Sequence, residues 1–112
     1  SARRPEYILQ FIRDRALVLV SSGAKCIEKI REGFRGLILM DVMMPRMNGW
    51  ETISAIVDQG LMEGNVICML TAVQDPSPEL EELTECVLGY IRKPFSPEEV
   101  IEVVESSMAY IA

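Results

Sequence analysis

The sequence predicts an α/β fold built on a parallel sheet, and three observations lead to this prediction. Short apolar runs that suit buried strands recur along the chain, at 17–20, 36–40, 66–70 and 87–91. Segments with helical apolar spacing separate these runs, so strands and helices alternate. The 112 residues match one domain, and a hydrophobic content of 49% is enough for a buried core. Such alternation is typical of parallel strands with helices packed on the sheet.

The first half of the chain begins with a predicted amphipathic helix over 7–15, where three apolar residues have helical spacing. This helix meets the strand 17–20 almost without a joint. A second helix over 24–32 follows a short turn, and Gly33 ends it. The side chains that this second helix should bury are Cys26, Ile27 and Ile30. The run 36–40 is apolar throughout, as expected for a strand that is covered on both faces.

The second half repeats the alternation. A helix is predicted over 50–60, then the strand 66–70, a short acidic helix over 79–86 and the strand 87–91. A last helix begins at 96–99, where Ser, Pro and Glu stand in the positions of a helix N-terminus. The residues that the two longer helices should bury are Trp50, Ile53, Ile56, Val57, Val100, Val103, Val104, Met108 and Ile111.

Composition narrows the class of protein. A net charge of −6 argues against nucleic acid as a direct ligand. No apolar stretch approaches the roughly 18 residues of a membrane span, and the N-terminus does not look like a signal peptide. The three cysteines lack paired or metal-type spacing, which fits a reducing compartment and predicts a cytoplasmic protein. The chain has no histidine, so imidazole cannot serve as base, metal ligand or phosphoryl carrier.

Charge is distributed unevenly along the chain. Residues 1–35 carry eight basic and four acidic side chains, whereas residues 36–112 carry three basic and thirteen acidic ones. Solvated helix faces explain such a pattern in most proteins. A polarised docking surface is the alternative, and the sequence leaves both open.

Three strands are followed by residues that suit phosphoryl transfer. Asp41 and Thr71 end the second and third runs, and Lys93 follows the fourth. Ligands of parallel α/β sheets bind beyond the carboxyl ends of the strands, so these side chains should meet at one edge. Phosphoryl transfer needs an in-line nucleophile, here a carboxylate, and positive charge near the phosphoryl oxygens. Taken alone, each residue also suits a structural role, in a turn, in a strand or on the surface.

From about Ser21 onwards the chain resembles the receiver domain of two-component response regulators. The resemblance lies in the motifs Asp-Val-Met-Met-Pro-Arg-Met-Asn-Gly-Trp-Glu, Thr-Ala and Tyr-Ile-Arg-Lys-Pro-Phe, which begin at residues 41, 71 and 90. Their spacing is also similar, since Thr71 follows Asp41 by 30 residues and Lys93 follows Thr71 by 22. The resemblance implies that Asp41 is the phosphoacceptor, Thr71 the switch hydroxyl, Lys93 the phosphate-contacting amine and Tyr90 the switch aromatic.

The same resemblance implies a flavodoxin-like, doubly wound parallel sheet of five strands in the order 2-1-3-4-5. It implies a cis Lys93–Pro94 bond, and Mg²⁺ held by Asp41 and the main-chain carbonyl of Met43. The partners would be a sensor histidine kinase or phosphotransfer protein, and a downstream protein target or output domain. Arg46 and Asn48 depart from the family, which often has Gly and Asp there. Gly49 is expected to permit a tight turn beside the site.

The resemblance fails before Ser21, where the family has a first strand that ends in two acidic residues. Here the chain begins Ser-Ala-Arg-Arg-Pro-Glu, and no segment before residue 17 reads as that strand. We therefore expect one receiver domain over 1–112 that is incomplete at its N-terminus. A divergent first strand donated by a partner is the alternative. Without the acidic pair, Mg²⁺ should bind weakly or not at all, because Mg²⁺ requires hard oxygen ligands.

The sequence thus predicts a phosphoacceptor rather than an enzyme, with two rival hypotheses. In the first rival, a pseudo-receiver, the same fold binds proteins without phosphorylation, and the absent acidic pair favours this reading. In the second, an ordinary flavodoxin-like fold binds a cofactor for catalysis. The second is disfavoured because the chain has no glycine-rich phosphate loop.

Overall fold

The computed structural model describes residues 17–111, with side chains described up to Ser106. Within this part of the chain, four parallel strands form one sheet in the order β1-β2-β3-β4. The strands are β1 (Leu17–Val20), β2 (Leu37–Asp41), β3 (Val66–Thr71) and β4 (Val87–Arg92). The helices are α1 (Gly23–Arg31), α2 (Gly49–Asp58) and α3 (Pro97–Ile111), and a 3₁₀ helix spans Glu81–Cys86. The helix predicted over 7–15 lies outside the described residues.

Helices cover both faces of the sheet, which confirms the doubly wound α/β fold. Alternation along each strand produces this arrangement, because successive side chains point to opposite faces. Ile38 and Met40 of β2 join one core, which contains the buried residues of α1 and α2. Leu37 and Leu39 join the other core, which contains Val104 of α3. These four β2 residues are at most 6% exposed, so the apolar part of the strand is buried on both faces.

Strand β1 pairs directly with β2, with Leu17 opposite Leu37 and Val20 opposite Met40. The order 2-1-3-4-5 places a further strand between these two. No such strand occurs among residues 17–111. The prediction that the strand and its acidic pair are missing concerns the chain before residue 17, which lies outside the described residues. The direct pairing joins β1 and β2 in one continuous ladder of parallel strand pairs.

Side-chain caps fix where the helices begin. Asn48 caps α2 through its side chain, which accepts from the backbone N–H of Glu51, and Glu51 reciprocates at the N–H of Asn48, at 2.9 Å each. Ser96 and Glu99 form the same kind of pair at α3, as the sequence predicts. Gly33 follows α1 with a φ of 111°, a conformation that glycine adopts at little cost, so it ends this helix as predicted.

Two element predictions need correction. Val57, which was expected to face inward, is 41% exposed, although Trp50, Ile53 and Ile56 are buried as predicted. Val57 is the last residue but one of α2, and the residues that follow it, 58–60, are exposed as well. The acidic helix predicted over 79–86 is a 3₁₀ helix that starts later, at Glu81. Leu80, directly before it, has an extended backbone with a φ of −109° and a ψ of 118°, so the helix cannot begin earlier. No helix in the described range is both long and apolar enough to cross a membrane.

The buried thiol of Cys26 should make stability depend on alkaline pH. Burial raises the pKa of Cys26 from 9.0 to about 11. Between these values the unfolded chain loses the thiol proton while the folded chain keeps it, so stability falls as pH rises. A pKa difference of two units between the folded and unfolded states corresponds to roughly 2–3 kcal/mol of unfolding free energy. We expect the unfolding free energy from urea titrations to fall by about this much more between pH 8 and 11 in the natural chain than in Cys26→Ala. Equal falls would contradict the prediction.

Candidate functional site

Asp41 and Lys93 form a two-pronged ion pair at the carboxyl edge of the sheet. Lys93 Nζ donates to Asp41 Oδ1 at 2.7 Å and to Oδ2 at 2.6 Å. Asp41 ends β2, and Lys93 follows β4, so the pair reaches across the end of β3. The side chains are 37% exposed for Lys93 and 27% for Asp41, which leaves both accessible to a ligand. The carboxylate and amine that the sequence predicted at one edge are thus in direct contact.

Thr71 ends β3, the strand between those that supply Asp41 and Lys93. Its main-chain carbonyl accepts from the backbone N–H of Lys93 at 2.7 Å. Its neighbour Leu70 lies opposite Asp41 in the register of β2 and β3. The three predicted residues therefore occupy adjacent strand ends, and the backbone joins two of them directly. The Lys93–Pro94 bond is cis, as the resemblance implied.

Gly49 lies where the first turn of α2 approaches the end of β2. Its N–H donates to the carbonyl of Val42 at 2.7 Å. A Cβ at this position would stand 2.9 Å from the carbonyl oxygen of Asp41 and 2.8 Å from the Met69 side chain. We expected Gly49 to permit a tight turn. The structure shows instead that it provides the space for α2 to contact the backbone of Asp41.

The loop between Asp41 and α2 contains a strained residue that the sequence did not reveal. Arg46 has a φ of 69°, in the left-handed region that residues with a side chain rarely adopt. The backbone N–H of Met47 donates to the carbonyl of Pro45 at 2.7 Å, across Arg46. A hydrogen bond that spans one residue of positive φ defines the rare, strained form of γ-turn. The one signal of this strain in the sequence was that Arg46 stands where the family often has Gly.

Tyr90 is half-exposed on β4, and its ring centroid lies 6.4 Å from that of Trp50. Burial of part of the ring raises the pKa of Tyr90 above its ordinary value of 10.0. The Trp50 indole N–H donates to the carbonyl of Pro76 at 3.0 Å, in the segment that follows β3. Tyr90 is therefore linked through Trp50 to the loop that begins at Thr71.

The residues that the resemblance implies as donors for a metal ion are Asp41 and Met43, which lies two positions further along the chain. The backbone N–H of Met43 donates to Asp41 Oδ1 at 3.3 Å, so the two residues are folded against each other. Carboxylate and carbonyl oxygens are the hard donors that Mg²⁺ prefers. In the described part of the chain, no group of three or more His, Cys, Asp or Glu residues is placed to hold a metal. The donor chemistry fits Mg²⁺, but this part supplies a single carboxylate.

Comparison with known proteins agrees with this geometry. The profile of the response regulator receiver domain matches residues 6–105, which is most of the chain. The chain belongs to the response regulator receiver domain family. A receiver domain protein described as CheY-like, from Methanospirillum hungatei JF-1, shares its fold with a TM-score of 0.81 and 38% identity. That alignment covers 95% of this chain and 86% of the other.

Curated relatives of this receiver are much longer proteins. Hybrid signal transduction histidine kinase D of Dictyostelium discoideum is 35% identical over 92 residues, which are 82% of this chain and 6% of the relative. The alkaline phosphatase synthesis transcriptional regulatory protein PhoP of Bacillus subtilis is 33% identical over 99 residues, which are 83% of this chain and 39% of the relative. The receiver therefore corresponds to only a part of each of these proteins.

Proposed function

We propose that this receiver accepts a phosphoryl group on Asp41 from a phosphohistidine of a partner protein. The observation that carries the proposal is the contact of Lys93 with both oxygens of Asp41. Such a contact places a cation where negative charge accumulates during transfer. Ionised Asp41 is the form that can attack phosphorus.

In the proposed step, one oxygen of Asp41 attacks the phosphorus, and the bond from phosphorus to the donor nitrogen breaks. The histidine leaves with its electron pair and takes up a proton. Lys93 must release one carboxylate oxygen and then contact the phosphoryl group that occupies its place. Thr71, which ends the strand between them, would supply a hydroxyl to the same group. Mg²⁺, which Asp41 and the Met43 carbonyl would hold, supplies further positive charge when bound.

We further propose that phosphorylation is read through Thr71 and Tyr90. Movement of Thr71 towards a phosphoryl group would pull on the loop that Trp50 binds through Pro76. Tyr90 contacts the Trp50 ring and is half-exposed, so its position affects the outer surface of β4. A switch of this kind requires two packings of similar free energy. The readers of that surface would be a downstream target or an output domain, in the cytoplasm.

A direct test is the site of modification. We expect incubation with acetyl phosphate and MgCl₂ to add one phosphoryl group to the chain, with acetate as the leaving group. Mass spectrometry after borohydride reduction should map the group to Asp41, and Asp41→Asn should remain unlabelled. Labelling at another residue, or undiminished labelling of Asp41→Asn, would contradict the proposal.

The pseudo-receiver is the second candidate, and one observation favours it. The described part of the receiver supplies a single carboxylate to the site, and Lys93 already occupies both of its oxygens. A receiver that stays unlabelled under these conditions, while it folds and binds a partner, would be a protein-binding module that does not depend on phosphorylation.

A further inference from the structure

Two cationic side chains lie in the loops that follow the four described strands, and they differ in their contacts. Those loops span 21–22, 42–48, 72–80 and 93–96, and their basic residues are Arg46 and Lys93. Lys93 is neutralised by Asp41, at 2.7 and 2.6 Å from its two oxygens. Arg46 is exposed, and no ion pair joins it to another residue of the described range. Arg46 is therefore the loop cation whose charge remains available at this edge.

The backbone at Arg46 is held in an unfavourable conformation. A left-handed φ costs a residue with a side chain roughly 1–2 kcal/mol relative to the right-handed form. Glycine would remove this cost, yet the chain carries arginine at a φ of 69°. Strained residues of this kind persist where the surrounding structure holds them in place, and they cluster at functional sites and ligand-binding segments. The γ-turn places this strain in the loop that directly follows the nucleophile.

The negative charge of the rest of the protein makes an exposed cation at this edge of the sheet suited to attracting anions. The chain has a net charge of −6, and the charged residues in the loop 72–80, Asp75 and Glu79, are both acidic. A phosphodonor is an anion, so most of the surface repels it. Acyl phosphates and phosphohistidines reach Asp41 only by passing the loops at this edge.

We infer that Arg46 captures the anionic phosphoryl group of the donor and guides it to the edge where Asp41 and Lys93 lie. The ligand class is a phosphoryl dianion attached to a small or protein-borne leaving group. Planar guanidinium binds phosphate oxygens in pairs, which holds the group in a defined orientation. The inference rests on the proposed function, because a captured phosphoryl group needs an acceptor. Arg46 itself takes no part in bond making.

Capture can be measured without phosphoryl transfer, so its failure is distinct from failure at Asp41. The probe is acetonylphosphonate, an analogue of acetyl phosphate whose carbon–phosphorus bond prevents transfer. Its affinity for the natural chain, Arg46→Gln, Arg46→Lys and Arg92→Gln is measured from NMR shifts of the backbone amides in the loop 42–48. Arg92→Gln is the matched control, because Arg92 is an exposed arginine at the end of β4 and the substitution removes the same charge.

We expect Arg46→Gln to weaken binding by about two- to fivefold, the range of one exposed ionic contact. Arg46→Lys should keep part of the affinity, and Arg92→Gln should keep nearly all of it. The difference should shrink at high ionic strength, because salt screens exposed charges. Equal affinities of the natural chain and Arg46→Gln would overturn the inference. An equal loss in Arg92→Gln would do so too, as would no binding up to about 20 mM, a dissociation constant of negligible affinity.

Discussion

Lys93→Gln is expected to slow phosphorylation of Asp41 by acetyl phosphate about a hundredfold. The ammonium contacts both oxygens of Asp41 and is the side chain placed to neutralise the phosphoryl group as charge develops. Removal of one such preorganised donor from a site typically costs 10²–10³ in rate. Glutamine keeps similar length and polarity, so the effect isolates the charge. The rate is measured by intact-protein mass spectrometry against time, at several acetyl phosphate concentrations.

Two controls decide how this result is read. Arg92→Gln removes the same charge one position earlier in the chain and should change the rate little. A thermal unfolding midpoint close to that of the natural chain shows that Lys93→Gln is folded. A rate within about threefold of the natural one would remove Lys93 from the proposed mechanism, because a preorganised charge is worth far more than this.

Ile53→Ala is expected to lower the free energy of unfolding by about 3–4 kcal/mol. Ile53 is completely buried in the core between α2 and the sheet. Its replacement removes buried methyl and methylene groups and leaves a cavity, which together cost 2–5 kcal/mol in comparable cores. Urea unfolding followed by circular dichroism measures the difference.

Val57→Ala is the matched control on the same helix. Val57 is 41% exposed, so truncation of its side chain should cost less than about 1 kcal/mol. If the two variants were equally destabilised, burial would not be what separates these positions, and the orientation of α2 would be wrong.

The strands were predictable because their apolar runs are continuous. All four predicted runs lie within one residue of the observed strands. The runs of the central strands β2 and β3 are apolar because these strands are buried on both faces, where polar side chains are costly. Helix ends were predictable where a cap or glycine marks them, as at Ser96 and Gly33. Val57 was misplaced because helical periodicity gives the direction of a side chain but not how far other residues cover it. The 3₁₀ geometry of Glu81–Cys86 depends on hydrogen bonding that composition does not encode.

The neighbourhood of the predicted site residues could be foreseen from the sequence, but their contacts could not. Because the carboxyl ends of parallel strands share one edge, the sequence predicted that Asp41, Thr71 and Lys93 lie close together. Lys93 donates hydrogen bonds to both oxygens of Asp41. This contact depends on the path of the chain after β4, which the motif does not specify. The strain at Arg46 was also hidden, because backbone dihedral angles follow from the packing of the whole loop. The role first assigned to Gly49 was wrong for the same reason: close approach of α2 is a tertiary property.

The ion pair between Asp41 and Lys93 joins residues that are 52 positions apart, across an intervening strand. Closure of so long a segment is entropically costly and comes late when a parallel sheet assembles. The acid is in place once β2 forms, but the amine arrives only when β4, the last strand, docks beside β3. A nascent or partly assembled chain therefore has the carboxylate of Asp41 without the ammonium of Lys93. The ion pair can form only after β4 has paired with β3.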